Sequence, residues 1–258
     1  MPMPSRPAAR KLLLSLTAAL CGLAAVALAA DLPFDWLDVR RRGADAIAEL
    51  ARAKTAAKPW QRVYKAQVPV GHPMAGLKIS VARAYVGHAQ LNVRVVAGPP
   101  QLLGTGVVMD GAKSFIRVAG EKTKPLPAET LFRAQPVLEV PWIVFCVLEW
   151  GPQYTSAVEG EFDQVAVLRL TPRYELGVTA RAGKVSVSKV SGYEIASSIN
   201  DGKGLKLGEV DWLAFDGAGI PAEFQLLAAG NNPQPVRFVA EGPVTAPTKN
   251  AFTPGALK

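Results

Sequence analysis

The chain has 258 residues, of which 49% are hydrophobic, and a formal net charge of +8. Its basic residues are scattered, with one run of three at 40–42, whereas nucleic-acid binding requires a dense basic face with interleaved aromatic side chains. We therefore expect no nucleic-acid partner. The length is sufficient for one domain with a hydrophobic core.

The first thirty residues are typical of a secretory signal peptide. Three basic residues precede an apolar run at 12–28, and small residues follow it. A basic region, an apolar region and a small-residue cleavage site in this order predict export. We predict a signal peptide over 1–30, cleaved near Ala29 or Ala30, and export across the inner membrane.

Two other interpretations of this segment stay open. The run is at the short edge of what spans a bilayer as an anchor. In a lipoprotein, Cys21 would be acylated, but Leu20 is larger than the residue usual before such a cysteine. If Cys21 is removed with the signal, Cys146 is the only remaining cysteine, which excludes an internal disulfide and predicts a buried apolar role for it.

The residues that follow the signal predict one amphipathic helix at 36–58. Apolar residues recur there at helical spacing, and arginine and glutamate fill the other face. Asp35 is a suitable N-cap, and Pro59 ends the helix. Gly43 weakens it by about 1 kcal/mol relative to alanine.

From Trp60 onward the apolar period changes to two, which predicts antiparallel strands. Asp110-Gly111 lies between two of these strands and is a hairpin signal, because both residues tolerate positive φ. Further turns are predicted at 200–202 and 216–217. The predicted strands are 62–70, 77–82, 91–95, 103–109, 114–119, 158–162, 165–170, 184–189, 193–198, 205–215, 222–227 and 235–240.

Two segments depart from this alternation of apolar and polar residues. Residues 128–135 favour two helical turns, and 137–150 are apolar without a polar face, so this insert is either plain core or the lid of a hydrophobic cavity. Residues 242–258 are rich in Pro, Thr, Ala and Lys, and we predict a disordered tail there. The folded domain is then 31–241.

A sheet of about eleven strands is too large to lie flat. We predict a mainly β fold with some α: an incomplete, half-open antiparallel β-barrel, covered by the N-terminal helix and the mid-chain helical insert. Such a barrel encloses more volume than its own side chains fill. The candidate lining residues are Met109, Phe115, Leu131, Phe132, Trp142, Phe145 and Trp150.

No constellation of catalytic or metal-binding residues stands out. The two histidines, His72 and His88, are in predicted turns, and the sequence offers no nucleophile elbow, zinc motif or phosphate loop. We therefore predict no catalytic residue, no metal and no cofactor. An enzyme stays a third class of function, for which no residue is nominated.

Three short stretches carry a resemblance to a known family. Ala-Val-Glu-Gly at 157–160 is followed by Val-Ala-Val-Leu-Arg-Leu-Thr-Pro at 165–172, a strand–aspartate–glycine–proline–strand pattern occupies 212–224, and a mid-sheet hairpin occupies 107–111. Together with the order of signal, helix, strands, insert and strands over 35–240, this pattern resembles the LolA-like outer-membrane lipoprotein-sorting family.

The resemblance implies a concave apolar face that holds acyl chains, closed by helices, and no catalysis. It also implies that an early-strand arginine bonds to the lid, for which Arg62, Arg83 and Arg94 are the candidates. The partners would be lipid or lipoprotein acyl chains and inner- or outer-membrane transport proteins. We expect a periplasmic carrier or chaperone; the alternative is a periplasmic sensor or scaffold of the same fold that binds a protein partner.

Overall fold

A computed structural model describes residues 35–43, 45–46, 49, 52, 58–111, 113–126, 154–172, 183–189, 194–200, 206–228 and 235–257. Thirteen strands of these described residues form one sheet, in which every pair of neighbours is antiparallel. In chain order the strands are β1 (Trp60–Gln67), β2 (Lys78–Tyr85), β3 (Ala89–Ala97), β4 (Gly106–Asp110), β5 (Lys113–Arg117), β6 (Lys124–Pro125), β7 (Tyr154–Phe162), β8 (Val165–Pro172), β9 (Gly183–Ser188), β10 (Glu194–Asn200), β11 (Lys206–Phe215), β12 (Pro221–Ala228) and β13 (Val236–Thr245).

The strand order shows how the two halves of the chain join. The order is β6-β5-β4-β3-β2-β1-β13-β12-β11-β10-β9-β8-β7, so β1 pairs with β13 in the middle, and β6 and β7 are the two edges. Among the described strands no ladder joins β6 to β7, and the barrel is therefore open. The predicted fold class is confirmed, with thirteen strands rather than about eleven.

The helix before the sheet is shorter than predicted. Helix α1 spans Trp36–Arg42, and the Asp35 carboxylate accepts a hydrogen bond from the Leu37 amide at 2.9 Å, as an N-cap does. Gly43 ends this helix at φ +62°, where its N–H donates to the Val39 carbonyl at 2.6 Å. A positive φ is open to glycine and strained for other residues, and the predicted continuous helix over 36–58 is wrong at Gly43. Helical residues resume at Asp45.

The side chains of each strand alternate between two faces, which we call the inner and the outer face. The inner face carries one continuous apolar cluster, to which Val39 of α1 also belongs. Its members are at most 9% exposed, although the sheet is a single layer. Large twisted sheets curl around such a face and remove it from water. The sheet members, in strand order, include Met109, Val107, Leu91, Val93, Ile79, Val81, Trp60, Tyr64, Phe238, Phe224, Trp212, Val210 and Leu168.

The C-terminal segment is ordered, and the predicted disordered tail over 242–258 is wrong. Strand β13 continues to Thr245, and a 3-10 helix spans Pro254–Leu257. Ala251 and Leu257 are only 5% and 2% exposed. The segment crosses the outer face of β2 to β5, and the folded domain therefore extends beyond the predicted limit at residue 241.

Long-range contacts hold this C-terminal segment against the sheet. Asn92 donates to the Ala251 carbonyl at 2.6 Å, and Arg94 donates to the Ala256 carbonyl at 2.8 Å. Arg117 donates to the Leu257 carbonyl. Arg94 and Arg117 thus bind carbonyls at the end of the 3-10 helix, which lack partners within the helix. The sequence of the segment contains no polar run that would predict these contacts.

Gly106 lets the last turn approach the sheet closely. It pairs with Arg94 on one side and Arg117 on the other. A Cβ atom at this position would lie 2.9 Å from the Leu257 Cδ2 and 2.8 Å from the Val93 carbonyl oxygen. The missing side chain therefore makes the space in which Leu257 is buried.

The described residues include no helix that is long and apolar enough to cross a membrane. The predicted signal peptide over 1–30, Cys21 and Cys146 lie outside these residues, and so does the predicted insert beyond Leu126. These expectations stay predictions.

Candidate functional site

The centre of the inner face is a row of aromatic side chains across β13, β12 and β11. Phe238, Phe224 and Trp212 are direct partners on neighbouring strands. The rings of Phe224 and Phe238 stack with centroids 5.2 Å apart, and Trp212 lies 5.4 Å from Phe224. Tyr64 meets Phe224 edge-on at 5.0 Å. Such offset and edge contacts are favourable and give this part of the face a fixed shape.

Two arginines lie on the described part of this largely apolar face. Arg62 pairs with Val81, and Arg83 pairs with Trp60 and Leu91, which places both guanidinium-bearing residues in inner-face rows. Arg94 pairs with Ser80 and lies on the outer face, where it binds the C-terminal segment. The register therefore excludes Arg94 as the arginine that reaches a lid over the inner face. Arg62 and Arg83 remain candidates.

The Arg62 guanidinium is held by the turn between β11 and β12. Its Nη1 donates to the Asp216 carboxylate at 3.0 Å and to the Pro221 carbonyl at 3.2 Å, and its side chain is 12% exposed. Tyr64 donates its hydroxyl to the same carbonyl at 2.7 Å. Burial raises the pKa of Tyr64 above its usual value, so the hydroxyl keeps its proton and remains a donor.

Asp216 also builds the turn itself, as the Asp-Gly signal predicts. Its Oδ1 accepts hydrogen bonds from the Ala218 amide at 2.9 Å and the Ile220 amide at 3.0 Å. Gly219 follows with φ +72°. The same carboxylate therefore closes a hairpin and neutralises an arginine on the inner face.

Substitutions of Asp216 separate these two roles. We expect Asp216→Ala to lower the free energy of unfolding by about 2–3 kcal/mol, because it removes the turn hydrogen bonds and leaves Arg62 without its counter-charge. Asp216→Asn keeps an amide oxygen for the turn and should cost about 1 kcal/mol less. Urea denaturation of both variants measures the difference, and equal losses would show that the turn bonds contribute nothing.

The structure places two of the predicted lining residues, Met109 and Phe115, on opposite faces of the sheet. Met109 pairs with Leu91 and is 4% exposed within the inner-face cluster. Phe115 pairs with Val108, whose own partner is Asn92 on the outer face. The prediction that both residues line one cavity is wrong, because the hairpin register aligns Met109 with Ser114 and turns Phe115 to the other side.

The other predicted lining residues belong to the mid-chain insert, which lies outside the described residues. They are Leu131, Phe132, Trp142, Phe145 and Trp150. Sequence reasoning did not select the aromatic row of the inner face, although Trp212, Phe224 and Phe238 occupy alternating strand positions. Their strands follow one another in the chain, and only Tyr64, on β1, joins the row through the pairing of β1 with β13.

The histidines lie in turns, as predicted, and each has a local partner. The Nδ1 atom of His72 accepts from the Met74 amide at 3.1 Å. His88 Nε2 lies 2.6 Å from Asp110 Oδ1, to which Gln90 also donates. The hydrogen bond from Gln90, together with that of His88, lowers the pKa of Asp110. No group of three potential metal ligands occurs within the described part of the chain.

Comparisons of sequence find no matching family model and no matching curated protein. Comparisons of structure find several solved chains with the same architecture. A putative outer membrane lipoprotein-sorting protein domain from Vibrio parahaemolyticus superposes with a TM-score of 0.61 at 12% identity, covering 84% of this chain and 99% of the other.

Two further solved chains are similar. A DUF1329 family protein from Desulfovibrio piger gives a TM-score of 0.59 at 12% identity, covering 85% of this chain and 99% of its own. A LolA superfamily protein from Nitrosomonas europaea gives 0.55 at 14% identity, with 81% and 97% covered. With an open antiparallel sheet, an apolar inner face and these neighbours, the chain has a LolA-like fold.

Proposed function

We propose that this protein is a periplasmic carrier or chaperone that binds the acyl chains of a lipoprotein or a free lipid, without catalysis. The observation that carries the proposal is the inner face: apolar side chains of β4, β3, β2, β1, β13, β12, β11 and β8 belong to one buried cluster. A structural neighbour is described as a lipoprotein-sorting domain, which supports a role of the same kind.

The path of the chain supports a lid over this face. The chain leaves the sheet at one edge, at Pro125, and re-enters at the opposite edge, at Tyr154. The apolar residues of the insert lie between these two points in sequence. We propose that the insert contacts the same hydrocarbon as Met109, with Phe132, Trp142 and Phe145 among its contacts.

The energetics suit a carrier that both binds and releases. Burial of a methylene contributes about 0.8 kcal/mol, so a chain with about ten buried methylenes gains about 8 kcal/mol before ordering costs. The interaction is not directional, which permits acyl chains of different lengths to share the site. Arg62 and Arg83 are the charged residues of the β1 and β2 rows on this face, and Arg62 is bound by Asp216.

Contacts between lipid and protein test this proposal directly. Palmitate bound to protein with ¹³C-labelled methyl groups should give intermolecular NOEs to the Met109 and Val107 methyls on the inner face. Val108 is the matched control, because it lies between these two residues in sequence but faces outward. Native mass spectrometry of the same sample reports whether one or more lipid molecules remain bound.

The outcomes distinguish the two classes of function. NOEs to Met109 and Val107 without NOEs to Val108 support the carrier. NOEs confined to Val108, or a protein that neither co-purifies with lipid nor binds palmitate, would contradict it. The protein-binding scaffold would then remain, and a periplasmic partner should co-purify with the chain.

A further inference from the structure

Two neighbouring loops at one end of the sheet, which we call the apolar tip, contain no charged residue. They are residues 68–77, between β1 and β2, and residues 98–105, between β3 and β4. The pairing of β2 with β3 places the loops side by side, and a Cβ atom at Gly98 would lie 2.9 Å from the Leu77 Cα. Neither loop contains Asp, Glu, Lys or Arg.

Each loop of the apolar tip buries some apolar side chains and exposes another. Leu77 is fully buried in the inner-face cluster, and Met74 and Leu102 pack against that cluster. On the outside, Val70 is fully exposed and Leu103 is 50% exposed. The buried residues therefore hold the two exposed side chains in place at the end of the sheet.

The backbone of the apolar tip is hydrogen-bonded within each loop. In the first loop the Ala75 amide donates to the His72 carbonyl at 2.9 Å, and in the second the Leu102 amide donates to the Pro99 carbonyl at 2.9 Å. Prolines at positions 69, 73, 99 and 100 have no N–H group that needs a partner. Backbone groups that are already paired lose little when they leave water for a lipid interface.

Basic side chains flank the apolar tip. Lys65 lies close to the end of β1, and Lys122 lies in the turn after β5. This turn is joined to the second loop, because the Ala119 amide donates to the Thr105 hydroxyl at 3.0 Å. Both lysines are exposed, and neither forms an ion pair within the described part of the chain.

The opposite end of the sheet has a different character. Asp110, Asp163 and Asp216 lie at its turns, which follow β4, β7 and β11. Val86, in the turn after β2, is 66% exposed at this end. An anionic surface therefore favours the end with the apolar tip, where uncharged loops are combined with unpaired lysines.

We propose that the apolar tip docks on the surface of a lipid bilayer that contains anionic headgroups. Val70 and Leu103 enter the boundary between headgroups and acyl chains, and Lys65 and Lys122 lie against headgroup phosphates. A bilayer fits better than a protein partner, because Gln101 is the one exposed polar side chain among the residues of the tip. The proposal goes beyond acyl-chain carriage and does not depend on it, since the inner face takes no part in the contact.

Paramagnetic broadening tests which end of the molecule meets the lipid. Protein with ¹³C-labelled methyl groups is mixed with bicelles of phosphatidylcholine and phosphatidylglycerol that contain a nitroxide-labelled lipid. The Val70 and Leu103 methyl signals should broaden most. Val86 is the matched control, because it is an exposed valine in a turn at the opposite end, and its methyl signals should remain sharp.

Variants and lipid composition test the two parts of the contact. The double substitution Val70→Gln and Leu103→Gln should weaken docking about tenfold, because two apolar side chains no longer enter the interface. Val86→Gln should leave docking within about twofold of the parent protein. Bicelles of phosphatidylcholine alone should bind about tenfold more weakly, because two lysines lose their electrostatic attraction. The broadening of the Ala75 methyl signal in a lipid titration measures each affinity, since Ala75 is exposed in the same loop and unchanged in every variant.

Several results would overturn the proposal. They are broadening at Val86 equal to that at Val70, an unchanged affinity in the double variant, or equal affinities for neutral and anionic bicelles. Absence of broadening at the apolar tip with either composition would also overturn it and would favour a protein partner for these loops. Palmitate binding at the inner face is measured separately, so that each proposal can fail without the other.

Discussion

Phe224→Ala should lower the free energy of unfolding by about 3–5 kcal/mol, the largest effect that we expect from a single substitution in the inner face. Phe224 is fully buried, and its ring contacts Tyr64, Trp212 and Phe238. Truncation removes the transfer free energy of the ring and three aromatic contacts, and it leaves a cavity where neighbouring strands cannot collapse. Chemical denaturation measures the change.

Phe162→Ala is the matched control, since the same atoms are removed at a position that is 67% exposed. We expect a change within about 0.5 kcal/mol there. A loss at Phe224 no larger than that at Phe162 would show that the aromatic row is not packed as described. It would also remove the basis for a continuous apolar inner face.

Leu257→Ala is the second substitution with a large expected effect. It should lower the free energy of unfolding by about 2–4 kcal/mol, because Leu257 is 2% exposed and packs into the space that Gly106 leaves. Amide hydrogen exchange should rise in the C-terminal segment and in the outer-face residues beneath it. Both measurements test whether residues 248–257 belong to the folded domain.

The control for Leu257 lies in the same segment. Lys249 is exposed, and Lys249→Ala should change the stability by less than about 0.5 kcal/mol. A disordered tail, as the composition of 242–258 predicts, would make both substitutions neutral. Neutral results for Leu257 together with fast exchange throughout 248–257 would contradict the structure.

The hairpin between β4 and β5 shows how far local patterns carry a prediction. Asp110-Gly111 was sufficient to place a turn, and Gly111 adopts φ +59° there. The alternation of apolar and polar residues did not determine the pairing register, because Met109 and Phe115 are both apolar and either could face inward. Pairing of Met109 with Ser114 decided the question, since a shift of one residue exchanges the faces of a strand.

The C-terminal segment shows where local patterns fail to predict the structure. Its composition is that of a disordered tail, and its order depends on contacts with residues that lie far away in sequence. Asn92, Arg94 and Arg117 supply hydrogen bonds to its carbonyls, and Gly106 supplies the space for Leu257. None of these residues is unusual in its own strand, and their arrangement in neighbouring rows arises only when β3, β4 and β5 pair.

The sequence by itself determined every strand except β6, most of their bounds to within about two residues, two hairpin turns and the antiparallel architecture, because a period of two and turn-forming residues are local properties of the chain. Only the tertiary structure decided which side chains share a face. It also decided that β1 pairs with β13, and that the last residues cover the outer face. These features depend on contacts between distant segments, whose free energy is gained only once the whole sheet has formed.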